Sequence, residues 1–402
     1  MDVLLTADFW RLASIPVLAA VVGWATNWVA IWMTFRPIRF VGVPPIFGWQ
    51  GIIPAKAGKM AAIFVDSTMA RLGTLSDVFE RMEPDVIADH VAATVAPRAP
   101  ELTDEVMRRA GVYLWDNLPE PVRGAVYERV REELPALVHA VFADIDRQVE
   151  SLVDLKHMVV GRMVADPELL NRMFLECGAA EFRFIVRSGF YFGFLFGLVQ
   201  LAVWAVYPAE WVLPAFGLFV GLATNWLALN LIFRPLEPVQ VGPFRVQGLF
   251  LKRQPEVAVT WSELVTREVL TLRQLVEAML TGPRSDRTRT LIRRHVKPLV
   301  DLALGPLRGL AQAAVGFRGF AALKEAVGET AIEVSLEPFE DRGFVLDRAS
   351  AVASDLAERM RNMPPGDFQD LLRPCFQEDE IKLVLLGGAL GLLAGWAQLQ
   401  WM

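Results

Sequence analysis

Gly23-Trp24-Ala25-Thr26-Asn27-Trp28-Val29-Ala30 lies inside an uncharged run, Leu12 to Phe35, and that run decides the fold. Its 24 residues, as a helix rising about 1.5 Å per residue, reach about 36 Å, enough to cross the hydrocarbon core of a bilayer. The octapeptide then recurs as Gly221-Leu222-Ala223-Thr224-Asn225-Trp226-Leu227-Ala228. The offset is 221 minus 23, or 198, and it holds through Phe35-Arg36-Pro37 and Phe233-Arg234-Pro235. It becomes 197 at Gln50-Gly51 with Gln247-Gly248 and at Thr74-Leu75 with Thr271-Leu272, as if one residue had been lost in a loop. Gly189, Gly193 and Gly197 answer to Gly387, Gly391 and Gly395, and Cys177 to Cys375, again 198 apart. Such regular self-similarity predicts a tandem duplication.

Three more apolar runs follow. The reading is therefore an all-α integral membrane protein with four transmembrane helices and two elongated helical segments between them. Repeat 1 covers 1–209: membrane helix 12–35, soluble segment 36–187 and membrane helix 188–209. Repeat 2 covers 210–402: membrane helix 211–233, soluble segment 234–382 and membrane helix 383–402. The middle helices are joined by the short turn Tyr207 to Glu210, which predicts a tight hairpin. Both repeats run through the membrane in the same sense, so they are parallel, whereas many alternating-access transporters use inverted repeats.

Basic residues crowd one side of the membrane. Arg36, Arg39, Lys56, Lys59, Arg183, Arg187, Arg234, Arg245, Lys252, Arg253, Arg373 and Lys382 flank the long segments, while Arg11 stands alone on the other side. The positive-inside rule then places both termini and the hairpin tip outside a bacterial inner membrane, with the long segments cytoplasmic. The first run is too long for a signal-peptide core and lacks a basic leader, so it is expected to stay in the mature protein. Composition agrees: 53% of residues are apolar, mean hydropathy is +0.35, and the net charge of −6 gives no reason to expect nucleic acid as a partner.

In the soluble segments apolar residues recur three and four apart, as in Val122, Val126, Val130, Leu134, Leu137, Val141, Ile145 and Val149. Read as one helix, Pro121 to His157 would extend roughly 55 Å, with a bend expected at Pro135. Breaks are signalled at Glu83-Pro84, Ala96 to Pro100, Gly282-Pro283 and Met363 to Gly366.

The polar residues inside the spans are Thr26, Asn27, Thr224, Asn225 and Asn230. An amide in hydrocarbon needs a partner, so they should face the bundle interior or each other. Two readings stay open: hydrogen-bonded helix packing, or a polar path or head-group site between the repeats. The glycines at every fourth position of the second and fourth spans, with Ala19, Gly23, Gly217 and Gly221 opposite, predict close backbone packing.

Loops rich in Gly, Pro and aromatic residues follow each Arg-Pro. There Phe40, Phe47, Trp49, Ile52, Phe244, Leu249 and Phe250 are expected to enter the acyl boundary. Arg36, Arg39, Lys56, Lys59, Arg234, Arg245, Lys252 and Arg253 are expected to meet anionic head groups or simply to mark topology. Glu181 and Asp379 should pair with Arg183 and Lys382. Cys177 and Cys375, too few for a disulfide scaffold, read as buried small hydrophobes near the repeat axis.

Enzymatic signatures are missing from the sequence. His90, His139, His157 and His295 have no metal-ligand spacing, no phosphate loop or nucleophile elbow occurs, and no carboxylate lies within the spans. No catalytic residue, metal or cofactor is expected.

Gly-x-x-Thr-Asn-Trp-x-Ala, Phe-Arg-Pro, the Gln-Gly loop, and the stretch from Val153-Asp154-Leu155-Lys156 to Phe184-Ile185-Val186-Arg187-Ser188-Gly189 resemble the bacterial YheB/YjiN-type membrane proteins, domain of unknown function 445. The likeness runs over nearly the whole chain. It implies an integral envelope protein and brings no activity or substrate with it. The reading reached is a non-enzymatic inner-membrane scaffold contacting phospholipid and a protein partner or a second copy of itself; the alternative is a transporter or channel lined by the Thr-Asn pairs.

Overall fold

The computed structural model describes residues 7–43, 47–112, 115–305, 308–370 and 380–400. Among them the backbone is almost wholly α-helical, with two short antiparallel hairpins, Val41–Val43 with Phe47–Trp49 and Val239–Val241 with Phe244–Val246. Among the described residues four helices are long and apolar enough to cross a membrane: Ala7–Phe35, from Leu12 onward, then Ala179–Val206, Val212–Phe233 and Glu380–Leu399. The second begins nine residues before the expected start at 188, because the charges that mark a bilayer rim do not end a helix whose backbone bonds continue. The fourth likewise starts at Glu380, three residues ahead of 383.

Trp24, Trp28, Trp32, Leu195, Trp226 and Trp396 are all exposed on these helices. So much contiguous apolar surface suits hydrocarbon, not water.

The chain forms two compact units, and each draws on both halves of the sequence. One contains Met1–Arg71, Val160–Trp261 and Ala357–Met402; the other contains Leu72–Val159 and Ser262–Leu356. The two long inter-span segments therefore do not fold as separate bodies.

In the first unit the first span packs along the second and the third along the fourth. Trp261 is buried against Phe64 at a centroid distance of 5.2 Å, and Phe250 stacks on Phe368 at 5.1 Å.

In the second unit the long helix Glu120–Leu152 packs against Pro84–Val95 and Leu75–Arg81 from one half and against Ser285–Leu304 from the other. The long helix continues past Pro135; its backbone leaves helical geometry at Gln148 (φ −138°, ψ 21°), and a new helix starts at Leu155. Thr74 and Thr271 explain the repeated Thr-Leu pair. Each hydroxyl accepts a backbone N–H three residues on, from Asp77 and Gln274, and so starts its helix. Asp77 returns the bond to Thr74 N, completing a capping box.

Asp144 ties the two halves of this unit together. His295 Nε2 lies 2.6 Å from its Oδ2, and Arg147 and Arg294 donate to the same carboxylate. The His295 hydrogen bond first, then that of Arg147, holds this carboxyl well below the ordinary range. A depressed folded-state pKa adds stability above the unfolded value of about 3.9 and loses it as pH falls through the folded value. Asp144→Asn should thus lower the melting temperature at neutral pH, and its gap from wild type should narrow below about pH 4. Melting curves across that range check this; a gap that stays constant into acid would contradict it.

The second unit holds a partly open cavity of about 210 Å³, walled by apolar side chains such as Phe79, Val126, Leu134, Ile292, Leu299 and Leu323.

Candidate functional site

The Thr-Asn repeats sit where span meets span. Asn27 is buried, and its Nδ2 donates to the carbonyl of Ile185 on the second span at 2.7 Å. Asn225 does the same to Leu383 on the fourth span at 2.8 Å. Donor and acceptor are 158 residues apart in both. Ile185 and Leu383 supply only backbone oxygens, so their side-chain identities gave no signal for this role. Asn27 Oδ1 is buried and has no hydrogen-bond partner.

Glycines make the approach possible. A Cβ on Gly23 or Gly189 would strike the other's carbonyl oxygen, one on Gly193 would fall 2.5 Å from Ala19 O, and one on Gly197 2.6 Å from Pro16 Cα. In the other pair, Gly217 and Gly221 meet Gly391 and Gly387 head-on, and Gly395 abuts Leu213 and Pro214. Interhelical bonds of the Asn kind contribute about 0.6 to 2 kcal/mol each. Close contact of two backbones adds dispersion over the whole seam.

The remaining polar residues of the set are arranged differently. Thr26 and Thr224 are buried but donate to their own helix, at Gly23 O and Gly221 O. Asn230 is half-buried and bonds Trp226 O one turn back, so it is not an interior group as expected. The two asparagines do not bond each other. Gln200, also buried in the second span, matches Gln398 at the same offset of 198. That offset was the available signal for it.

Past the spans, Arg36-Pro37 and Arg234-Pro235 are cis. Gly51 N and Gly248 N bond Pro37 O and Pro235 O, and the neighbouring Gln50 and Gln247 amides reach Ile38 O and Leu236 O. A Cβ on Gly51 would lie 2.7 Å from Arg36 N, and one on Gly248 2.8 Å from Ile232 O. The Gln-Gly motif thus closes each loop onto the end of its span. Arg36, Arg39, Lys59, Arg234, Arg245 and Lys252 are exposed and Lys56 is half-buried.

Arg253 departs from the head-group set. Its Nη1 makes two bonds, 2.9 and 2.8 Å, to the carboxylate of Glu181, which is only 4% exposed. The expected Glu181 to Arg183 pair is not formed; Arg183 instead donates to Ala179 O. Ile52 and Phe250, expected at the acyl boundary, are buried inside the unit, whereas Phe40 is exposed. The hydrophobic pattern of a loop does not reveal whether protein or lipid covers it. The side chains of Phe47 and Phe244, and residues Arg373, Cys375 and Asp379, lie outside what is described. Cys177 is buried, and burial pushes its thiol up to about 12, far from a reactive thiolate.

The histidines stand apart: His90 stacks on Phe344, His139 meets Asp89, His157 is exposed, and His295 belongs to the Asp144 cluster. Among the described residues no group of three or more His, Cys, Asp or Glu is placed to hold a metal ion.

Comparison with known proteins adds a limited likeness. The chain is 41% identical over 58 residues to a UPF0754 membrane protein of Bacillus cytotoxicus, covering 14% of this chain and 15% of that one. UPF0754 membrane proteins of Bacillus cereus and Exiguobacterium sibiricum match at 40% and 38% over 58 residues, with the same coverage. The matched stretch thus spans about 15% of the length of these curated relatives. These relatives are membrane proteins of uncharacterised role and carry the UPF0754 name in place of the YheB/YjiN label. No family model and no solved structure matches the chain.

Proposed function

We propose that this chain is a duplicated, multi-pass inner-membrane scaffold without enzymatic activity, which grips anionic phospholipid and holds a protein partner or a second copy through its helical segments. The observation that carries this reading is the pair of matched loops. Each places an exposed Arg just after a span, Arg36 and Arg234, and a second exposed Arg a few residues on, Arg39 and Arg245. Juxtamembrane arginines attract anionic lipid at about 1 kcal/mol each. The duplication is supported by the two asparagine bonds of equal sequence separation and by the two loops closed by the same Gln-Gly bonds. Parallel halves, both termini outside and both long segments cytoplasmic complete the proposal, supported by the basic flanks of the spans. The buried seams support packing as the work of the asparagines.

Native mass spectrometry of protein extracted with its lipids tests the proposal. The variant Arg36→Gln, Arg39→Gln, Arg234→Gln, Arg245→Gln should retain at least tenfold less phosphatidylglycerol than wild type, because four contributions of about 1 kcal/mol each exceed the roughly 1.4 kcal/mol that makes a tenfold change. Equal retention by an intact variant would overturn the head-group contact.

A further inference from the structure

The cavity in the second unit carries a signal that its apolar walls alone do not. Four of its lining residues bear hydroxyls: Thr103, Thr288, Thr330 and Ser335. Thr103 and Ser335 donate to carbonyls one turn back, at Ala99 O and Ala331 O, as helical hydroxyls commonly do. Thr288 and Thr330 differ. They are 2% and 4% exposed, and neither Oγ1 has a hydrogen-bond partner. A buried hydroxyl left unpaired is unfavourable, so two on residues that line one cavity point to a polar atom of a ligand there.

The helices fix where these hydroxyls stand. Ser285–Leu304 and Arg308–Val334 run antiparallel, as the pairs Arg293 with Glu329, Lys297 with Glu325 and Lys324 with Asp301 show. In that alignment Thr288 and Thr330 fall at the same end of the helix pair. From Thr288 the lining continues along one helix to Leu304, a rise of about 24 Å. One acyl chain occupies half of a hydrocarbon core about 30 Å thick, so it needs only about 15 Å. The lining contains no charged side chain, so an ionised head inside would be a buried charge without a partner.

We propose that this cavity binds a single lipid acyl chain, lying along Ser285–Leu304, with a neutral ester or acid carbonyl oxygen accepting hydrogen bonds from Thr288 and Thr330. The site is separate from the loop arginines, and its readout is separate too.

The test uses the full-length protein in liposomes of phosphatidylethanolamine and phosphatidylglycerol. One arm adds methyl palmitate carrying a diazirine at the chain end; the other adds a phosphatidylethanolamine with the same diazirine on one acyl chain. After illumination, adducts are mapped on peptides. Adducts on peptides within 126–145 and 288–304 support the site, and the arm that yields them identifies the source as a monoacyl lipid or a membrane phospholipid. Val327→Phe, which fills the cavity, and the isosteric pair Thr288→Val with Thr330→Val should each reduce these adducts about tenfold, equivalent to one lost hydrogen-bonding or packing contribution. Labelling of the membrane spans should stay unchanged, and a wild-type pattern of limited proteolysis within 72–159 and 262–356 reports that the second unit of each variant is folded. Labelled spans with no cavity adducts in either arm would overturn the proposal, as would cavity adducts that neither variant reduces.

Discussion

Gly189→Leu is expected to drive the first and second spans apart. A single methyl at Gly189 already lands on Gly23 O and 2.7 Å from Asn27 Nδ2, so leucine cannot enter without moving a backbone. Overpacking of this sort costs about 3 kcal/mol or more. The displaced helix also breaks the Asn27 to Ile185 bond and leaves that amide unpaired. In detergent micelles the melting temperature should fall on the order of 10 °C. Tyr191→Leu, two residues away at a site 68% exposed, is the control and should change little. Equal melting of the two variants would contradict the packing described.

Arg253→Met should be the other severe change. It leaves the Glu181 carboxylate, 4% exposed, without its bidentate partner, and breaking a buried pair from one side costs about 3 to 5 kcal/mol. Adding Glu181→Leu removes the stranded charge, and the double variant should recover most of the loss, because apolar replacement of a buried pair is often neutral. Thermal melting of the wild type, both single variants and the double variant closes the cycle. If the two single losses simply add, the pair is not coupled and the geometry is wrong.

These two sites show how far the sequence is legible. Gly189 could be read directly, because glycines at every fourth position of an apolar run have one main use in a membrane. Asn27 and Asn225 could be read as groups in need of a partner. Their acceptors could not, since a backbone carbonyl is the same at every residue. Arg253 misled for a different reason: positive-inside statistics treat each juxtamembrane cation alike, and only the fold brings Glu181, 72 residues earlier, within reach. Pro135 sits on the exposed face of the long helix, where the helical backbone continues past it. The joint body formed by segments of both halves lay beyond reach, because apolar periodicity identifies which face of a helix is buried and not what buries it. The orphan hydroxyls of Thr288 and Thr330 were invisible for the same reason.

The separation of 158 residues between each asparagine and its acceptor also sets a clock for biosynthesis. At about 5 to 20 residues per second, Asn27 emerges roughly 8 to 30 s before Ile185 is made. During that interval the first span has no partner for its amide in the lipid. The Asn27 amide can therefore meet its acceptor only once the second span has been made, and that of Asn225 only once the fourth has.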